Sequence, residues 1–239
     1  MSQKDVIKLP RLYVDNELRE SNIVNLNKDQ AHYLLHVLRI HAGDCLRLFN
    51  GHDGEWRASV DSANKKGVSA RIDSRIKEQP PVPRELHLFF APIKKARMDW
   101  LIEKAVELGA THLHPVLTHN TEVRAINEER IRAQIIEAAE QCERMDLPEL
   151  FSLQPVLNIL STLPLLACLE RTDAKSLKES IPEKESVAFL IGPEGGFTED
   201  EKKKLCGMKN VAAVSLGPRV LRSETAAIMA LCAVMGVGP

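Results

Sequence analysis

Two stretches of this 239-residue chain share one plan, and together they restrict the fold more than anything else in it. Residues 187–191, VAFLI, are an apolar run that gives way to Gly192-Pro193, then a charged loop, then a helical pattern. Residues 211–216, VAAVSL, give way in the same manner to Gly217-Pro218, a charged loop and a helical pattern. An apolar strand that ends in glycine leaves bare backbone at the carboxyl edge of a sheet, where open α/β folds bind ligands. Either loop alone is explained by a tight turn, with proline fixing one dihedral angle and glycine supplying a positive one. Two of them, 25 residues apart, predict one pocket with two loop walls.

The rest of the chain falls into two rhythms. Over residues 1–76 the pattern is short strands (9–14, 44–49) and one helix (29–39), then a hairpin whose arms, 55–63 and 68–76, alternate apolar and polar residues around NKKG. Several short strands in so small a space predict a small barrel. Residues 77–84 contain three prolines in four positions (Pro80, Pro81, Pro83), so they are read as a stiff linker. Over 85–239 strands and helices alternate: strands at 86–91, 112–116, 163–169, 187–191 and 211–216, helices at 95–108, 127–144, 175–180 and 223–234. Such alternation predicts a mostly parallel sheet covered by helices.

The loops do not read as phosphate cradles. There is no G-x-x-x-x-G-K-[ST] and no G-x-G-x-x-G opening a helix, and Glu194 in the first loop would repel a phosphate. A cationic or neutral ligand that seeks backbone amides suits Gly192, Gly195, Gly196 and Gly217 better. In the second loop Ser223 or Thr225 can cap a helix, with Glu224 favourable in its first turn. Arg219 and Arg222 are disfavoured by that same dipole, which points to an anionic partner or a developing oxyanion.

Bulk properties exclude more than they assign. Five scattered cysteines form no C-x-x-C pair, which argues against both a disulfide framework and a zinc site, and no metal is expected. No apolar run reaches membrane-spanning length and the amino terminus lacks a signal-peptide core, so a cytoplasmic protein is expected. The net charge of −1 announces no nucleic-acid partner; residues 1–76 sum to only +2.

LIGPEGGFTEDE (190–201) and LGPRVLRSETAA (216–227) closely resemble the two signature motifs of the ribosomal small-subunit uridine N3-methyltransferases, the RsmE-type branch of the SPOUT superfamily. KLPRLYV (8–14), HYLLHVLRIHAGD (32–44), KARMDWLIEKAVELGATHLHP (95–115) and EAAEQCERMDLPEL (137–150) are similar to further family segments. The resemblance implies a PUA-like β-barrel that binds RNA, then an α/β methyltransferase domain with a deep carboxyl-terminal trefoil knot. It implies S-adenosylmethionine as cofactor, a homodimer, and N3 of one uridine in 16S ribosomal RNA of the small subunit as target. Carried over by motif, the cofactor contacts are Leu190, Ile191, Gly192, Gly195, Gly196, Leu216, Gly217 and Leu221, with Leu166 and Cys168 on the preceding strand. Arg222, Arg219, Glu194 and Glu224 are the catalytic candidates, an arginine for the charge on the uracil oxygens and a glutamate for the N3 proton. Arg11, Arg39, Lys65 and Lys66 are the candidate RNA contacts. His32 and His36, at i and i+4, lack a third ligand and are read as packing or RNA-facing. The alternatives are a 2′-O-ribose methyltransferase on the same cofactor site, and a non-catalytic RNA-binding or assembly factor. One departure stands out: Thr118-His119-Asn120 occupies the place where family members often carry an acidic–basic pair.

Overall fold

The computed structural model describes residues 6–81, 84–159, 163–170, 173–183 and 185–235. They divide into two compact units, the first holding the chain up to Pro81 together with Ala139–Asp146, the second holding the remainder.

In the first unit β1 (Arg11–Tyr13), β2 (Ile23–Asn25), β3 (Cys45–Phe49), β4 (Glu55–Asn64) and β5 (Gly67–Lys77) form one sheet in the order β1-β3-β4-β5-β2. β1 pairs parallel to β3 and the other pairings are antiparallel. The β4–β5 hairpin has three register shifts, and such bulges bend and twist a strand pair. Leu18, Val24, Leu34, Leu46, Leu48, Ala58, Ala70 and Ile72 are the most enclosed residues of its core. β2 was not legible in the sequence, because only Val24 of its three residues is buried and no alternation can register. The helix expected at 29–39 is shorter and irregular. Asn27 and Gln30 form a capping box that starts α1 (Lys28–His32), which relaxes into a π-helical turn (Tyr33–Val37). Arg39, at φ 54°, stops the helix.

Arg11 corrects a sequence expectation. It is buried: Nε donates to Glu55 Oε1 at 2.7 Å, and Nη1 and Nη2 donate to the carbonyls of Ala139 and Arg144, each at 2.9 Å. Its guanidinium also lies 3.7 Å from the Phe49 ring centre. Desolvation lowers its pKa while Glu55 works against that, and no face is left for an RNA phosphate. Arg47 joins the cluster by donating to Glu143 Oε1 at 2.9 Å. These bonds explain why Ala139–Asp146 clusters with the first unit.

The second unit comprises β6 (Leu86–Phe90), α2 (Lys95–Glu107), β7 (His112–Leu117), α3 (Glu128–Gln141), β8 (Glu149–Leu150), β9 (Gln154–Pro155), β10 (Leu165–Cys168), α4 (Leu177–Ser180), β11 (Val187–Ile191), α5 (Glu199–Cys206), β12 (Val211–Val214) and α6 (Ser223–Met235); the last residues of α3 belong to the first unit. All its strand pairings are parallel, in the order β12-β10-β11-β6-β7-β8, with β9 also on β7. Every residue of β10 and β11 is buried, as expected of parallel strands covered on both faces. Gly109, at φ 82°, ends the turn after α2; Glu143, at φ 59°, follows α3 and keeps it from reaching residue 144.

Towards the other side of this sheet from β11, a row of flat rings crosses β6 and β7. His114 is sandwiched between Phe89 and Phe151, each ring centre 4.1 Å away, and its Nε2 meets His87 Nδ1 at 2.9 Å. Burial, and the neighbouring His87 and His112, push its pKa down to about 3, so the ring is neutral.

Candidate cofactor site

β11 fixes the first wall. Its five buried residues end at Ile191, and the chain turns at Gly192-Pro193. A Cβ on Gly192 would lie 2.8 Å from the Phe197 ring, so glycine is needed for the loop to fold over its own phenylalanine. Gly196, at φ 64°, closes the loop by donating its N–H to Pro193 O at 2.9 Å. Thr198 then caps α5 in a reciprocal box with Glu201.

β12 fixes the second wall in the same way. It ends at Val214, Gly217 takes φ 107°, and the loop runs to Ser223 at the start of α6. Ser223 Oγ donates to Gly192 O at 2.8 Å, a direct tie between the two loops. Between them, at the carboxyl edge of β10, β11 and β12, lies a cavity of about 590 Å³, a size ordinary for a small-molecule site.

Ile191, Gly192, Gly195 and Gly196 line the cavity from the first loop, Leu216, Gly217 and Leu221 from the second, and Cys168 from the end of β10. Burial pushes the Cys168 thiol up to about 12, so it is an uncharged wall and not a nucleophile. Glu194 and Arg219 also line the cavity. Four expected residues do not. Leu166 and Leu190 are buried before the last residues of β10 and β11, and neither lines the cavity. Arg222 is exposed and outside the lining, and Glu224 is buried and outside it too.

The charges around the loops are unequal. Arg97, in the first turn of α2, places Nη1 at 3.4 Å from Glu194 Oε1 and Nε at 3.7 Å from Glu224 Oε1. The other Glu224 oxygen, Oε2, is buried without a hydrogen-bond partner. Arg219 and Arg222 form no ion pair among the described residues, although both are exposed.

Three residues of this site were missed in the sequence. Arg97 sits in the first turn of the helix read at 95–108, where the dipole disfavours a cation, so the argument applied to Arg219 and Arg222 was open for it too. Glu201 was available from the Thr198-x-x-Glu201 pattern of a capping box. It is buried, and besides capping α5 through Oε2 it accepts the His119 N–H through Oε1 at 2.7 Å. Asn120 donates to the carbonyls of Gly195 and Gly196, contacts between residues 75 and 76 positions apart that no local pattern reveals.

A parallel sheet with a two-walled cavity at its carboxyl edge is the layout of an α/β domain that binds a small molecule. The family model for an RNA methyltransferase domain matches residues 80–235, and that for an RNA methyltransferase PUA domain matches residues 26–73. Among curated relatives, ribosomal RNA small subunit methyltransferase E of Rickettsia conorii is 35% identical over 97% of each chain. The protein of the same name from Synechocystis sp. is 33% identical over 96% of this chain and 78% of its own. Among solved structures, a Legionella pneumophila methyltransferase in complex with SAM superposes with a TM-score of 0.85 at 34% identity, covering 97% of this chain and 98% of that one. A Neisseria gonorrhoeae ribosomal RNA small subunit methyltransferase E bound to S-adenosyl methionine gives 0.85 at 28%, covering 96% and 98%. The chain belongs to the ribosomal RNA small subunit methyltransferase E family, with a PUA-like unit ahead of a SPOUT-type methyltransferase unit.

Proposed function

We propose that this chain transfers a methyl group from S-adenosylmethionine to N3 of a uridine in 16S ribosomal RNA of the small subunit. The observation that carries this reading is the single cavity walled by both glycine loops. Its chemistry fits the cofactor. Gly192, Gly195, Gly196 and Gly217 offer backbone groups at close range; Ile191, Leu216 and Leu221 offer apolar surface; and the Glu194 carboxylate suits a ligand of positive charge. Similar proteins crystallised with that cofactor support the same assignment.

The cofactor, when bound, supplies an electrophilic methyl group on a sulfonium. The chain's own residues position the pyrimidine and manage its proton and charge. N3 lies on the Watson–Crick edge, so the target must be unpaired or turned outward. As the proton leaves, charge spreads onto O2 and O4, and this reading gives that charge to Arg219, which lines the cavity, and Arg222, exposed between the lining residues Leu221 and Ser223; neither has an ion-pair partner among the described residues. Of the two candidate acceptors for the proton, Glu194 is favoured, because it lines the cavity and Glu224 does not. The amino-terminal RNA-binding domain, taken as residues 1–76 with 77–84 as its linker, holds the RNA through exposed Arg39, Lys65 and Lys66.

Three further features belong to this reading. The methyltransferase domain, 85–239, carries the carboxyl-terminal trefoil knot of the family, a feature taken from the family alone. The protein works as a homodimer, to which exposed Trp100 of α2 and Met229 and Met235 of α6 lend an apolar surface on two helices that pack together. The site of action is the cytoplasm, where small subunits are assembled.

The test is to incubate the protein and S-adenosylmethionine with small subunits from cells lacking the methylation, then digest the RNA and analyse nucleosides by mass spectrometry. The reading expects N3-methyluridine. Appearance of a 2′-O-methyl nucleoside, or of no methylated product at all, overturns it.

A further inference from the structure

The turn after β7 is built more rigidly than a connecting loop requires. Thr118 and Thr121 are both buried, and they close the turn on themselves: Thr118 N–H donates to Thr121 Oγ1 at 2.9 Å, the two hydroxyls meet at 2.9 Å, and Thr121 N–H donates to Thr118 O at 3.3 Å. The His119 N–H is held by the buried Glu201 carboxylate at 2.7 Å. That same carboxylate accepts the Thr198 N–H at 2.9 Å, so it is anchored directly after the first glycine loop. The turn and the loop are therefore joined at one end through Glu201.

Asn120, at the apex of this turn, joins them at the other. Its Nδ2 donates to Gly195 O at 2.9 Å and to Gly196 O at 3.1 Å, spending both amide hydrogens on consecutive carbonyls of the cavity wall. The approach is close enough to dictate the residue opposite. A Cβ on Gly195 would lie 2.9 Å from Asn120 Cβ, and Gly195 has no positive φ of its own to demand glycine. Gly195 is thus explained by the side chain behind it. Asn120 itself does not line the cavity.

We propose that Asn120 is a positioning residue for the cofactor: by holding two adjacent carbonyls from behind, it fixes the backbone of the first loop in the shape that grips S-adenosylmethionine. The inference rests on the cofactor reading above. Without the amide, Gly195 and Gly196 are free to sample the wide range of conformations open to glycine, and binding must then order them.

Calorimetric titration of the full chain with S-adenosylmethionine provides the test, on wild type, Asn120→Ala and Asn120→Asp. Two lost hydrogen bonds of ordinary strength predict an affinity about tenfold weaker for Asn120→Ala. Its thermal midpoint should fall by no more than about 3 °C, because the loss is local. Asn120→Asp keeps the shape but sets a carboxylate against two carbonyls, so it should bind more weakly than Asn120→Ala. Its affinity relative to wild type should recover as the pH is lowered towards the ordinary aspartate pKa of about 4, where the protonated acid can donate again. A role in shape alone predicts neither that order nor that recovery. Hydrogen exchange at residues 192–197 should quicken in both variants, which provides a readout that needs no ligand. Equal affinity and equal exchange in all three proteins overturn this inference and leave the cofactor reading standing. A wild type that gives no binding heat overturns both.

Discussion

The arginines of the two units show how one residue type serves opposite ends. Arg11 and Arg47 are buried, and their guanidinium groups are occupied by Glu55, Glu143 and backbone carbonyls. Arg219 and Arg222 stand exposed, with no acidic partner among the described residues. A saturated guanidinium holds a fold together, whereas an unpaired one beside a cavity is free for a ligand's negative charge. The sequence contains nothing that separates the two cases, since Arg11 and Arg222 both sit in family-like segments.

The largest expected effect breaks the comparison from the first side. Arg11→Ala removes the nearest partner of Glu55, a fully buried carboxylate, and frees two carbonyls in Ala139–Asp146. About 3 kcal/mol or more of stability should be lost, read by urea denaturation. A loss under about 1 kcal/mol would mean that Arg47 and Lys77 suffice for Glu55, and that Arg11 was misjudged.

From the second side, Arg222→Ala should lower the methylation rate about a hundredfold while changing stability by less than about 0.5 kcal/mol. Cofactor affinity should stay within about twofold of wild type, because Arg222 lies outside the cavity lining. Normal turnover in the variant removes Arg222 from the mechanism.

A third effect sharpens the contrast with a group that neither binds nor pairs as a cation. The folded-state pKa of His114 lies far below its unfolded value, so the unfolded chain takes up a proton first as the pH falls. Stability is therefore whole above about pH 6.5 and declines from there towards the folded pKa of about 3. By pH 5 about 2 kcal/mol should be lost relative to pH 7, and His114→Phe should flatten that slope. An unchanged slope in the variant would place the acid sensitivity elsewhere.

The smallest effect concerns the tip of the β4–β5 hairpin. Removing Lys65 and Lys66 together should weaken RNA binding modestly and lower the salt dependence by about one or two counterions, with methyl transfer chemistry intact. No change in the salt slope would make them plain solvated turn residues.

How much of this was legible in the sequence follows the range of the forces involved. The two strand–glycine loops, the hairpin and the alternation after residue 85 are local patterns, and the cavity stands where those loops pointed. β2, β8 and β9 escaped because two or three residues carry no period. The burial of Arg11 and the positions of Arg97 and Asn120 depend on partners between 44 and 133 residues away, which spacing cannot report. Leu166 and Leu190 show a subtler limit. A motif can mark the strand that leads to a site without marking which of its residues reach the edge.

The most direct measurement is a crystal structure of the chain grown with S-adenosylmethionine. The account predicts the cofactor in the cavity between the two glycine loops, against Gly192 on one side and Gly217 on the other. Cofactor bound away from those loops would contradict it.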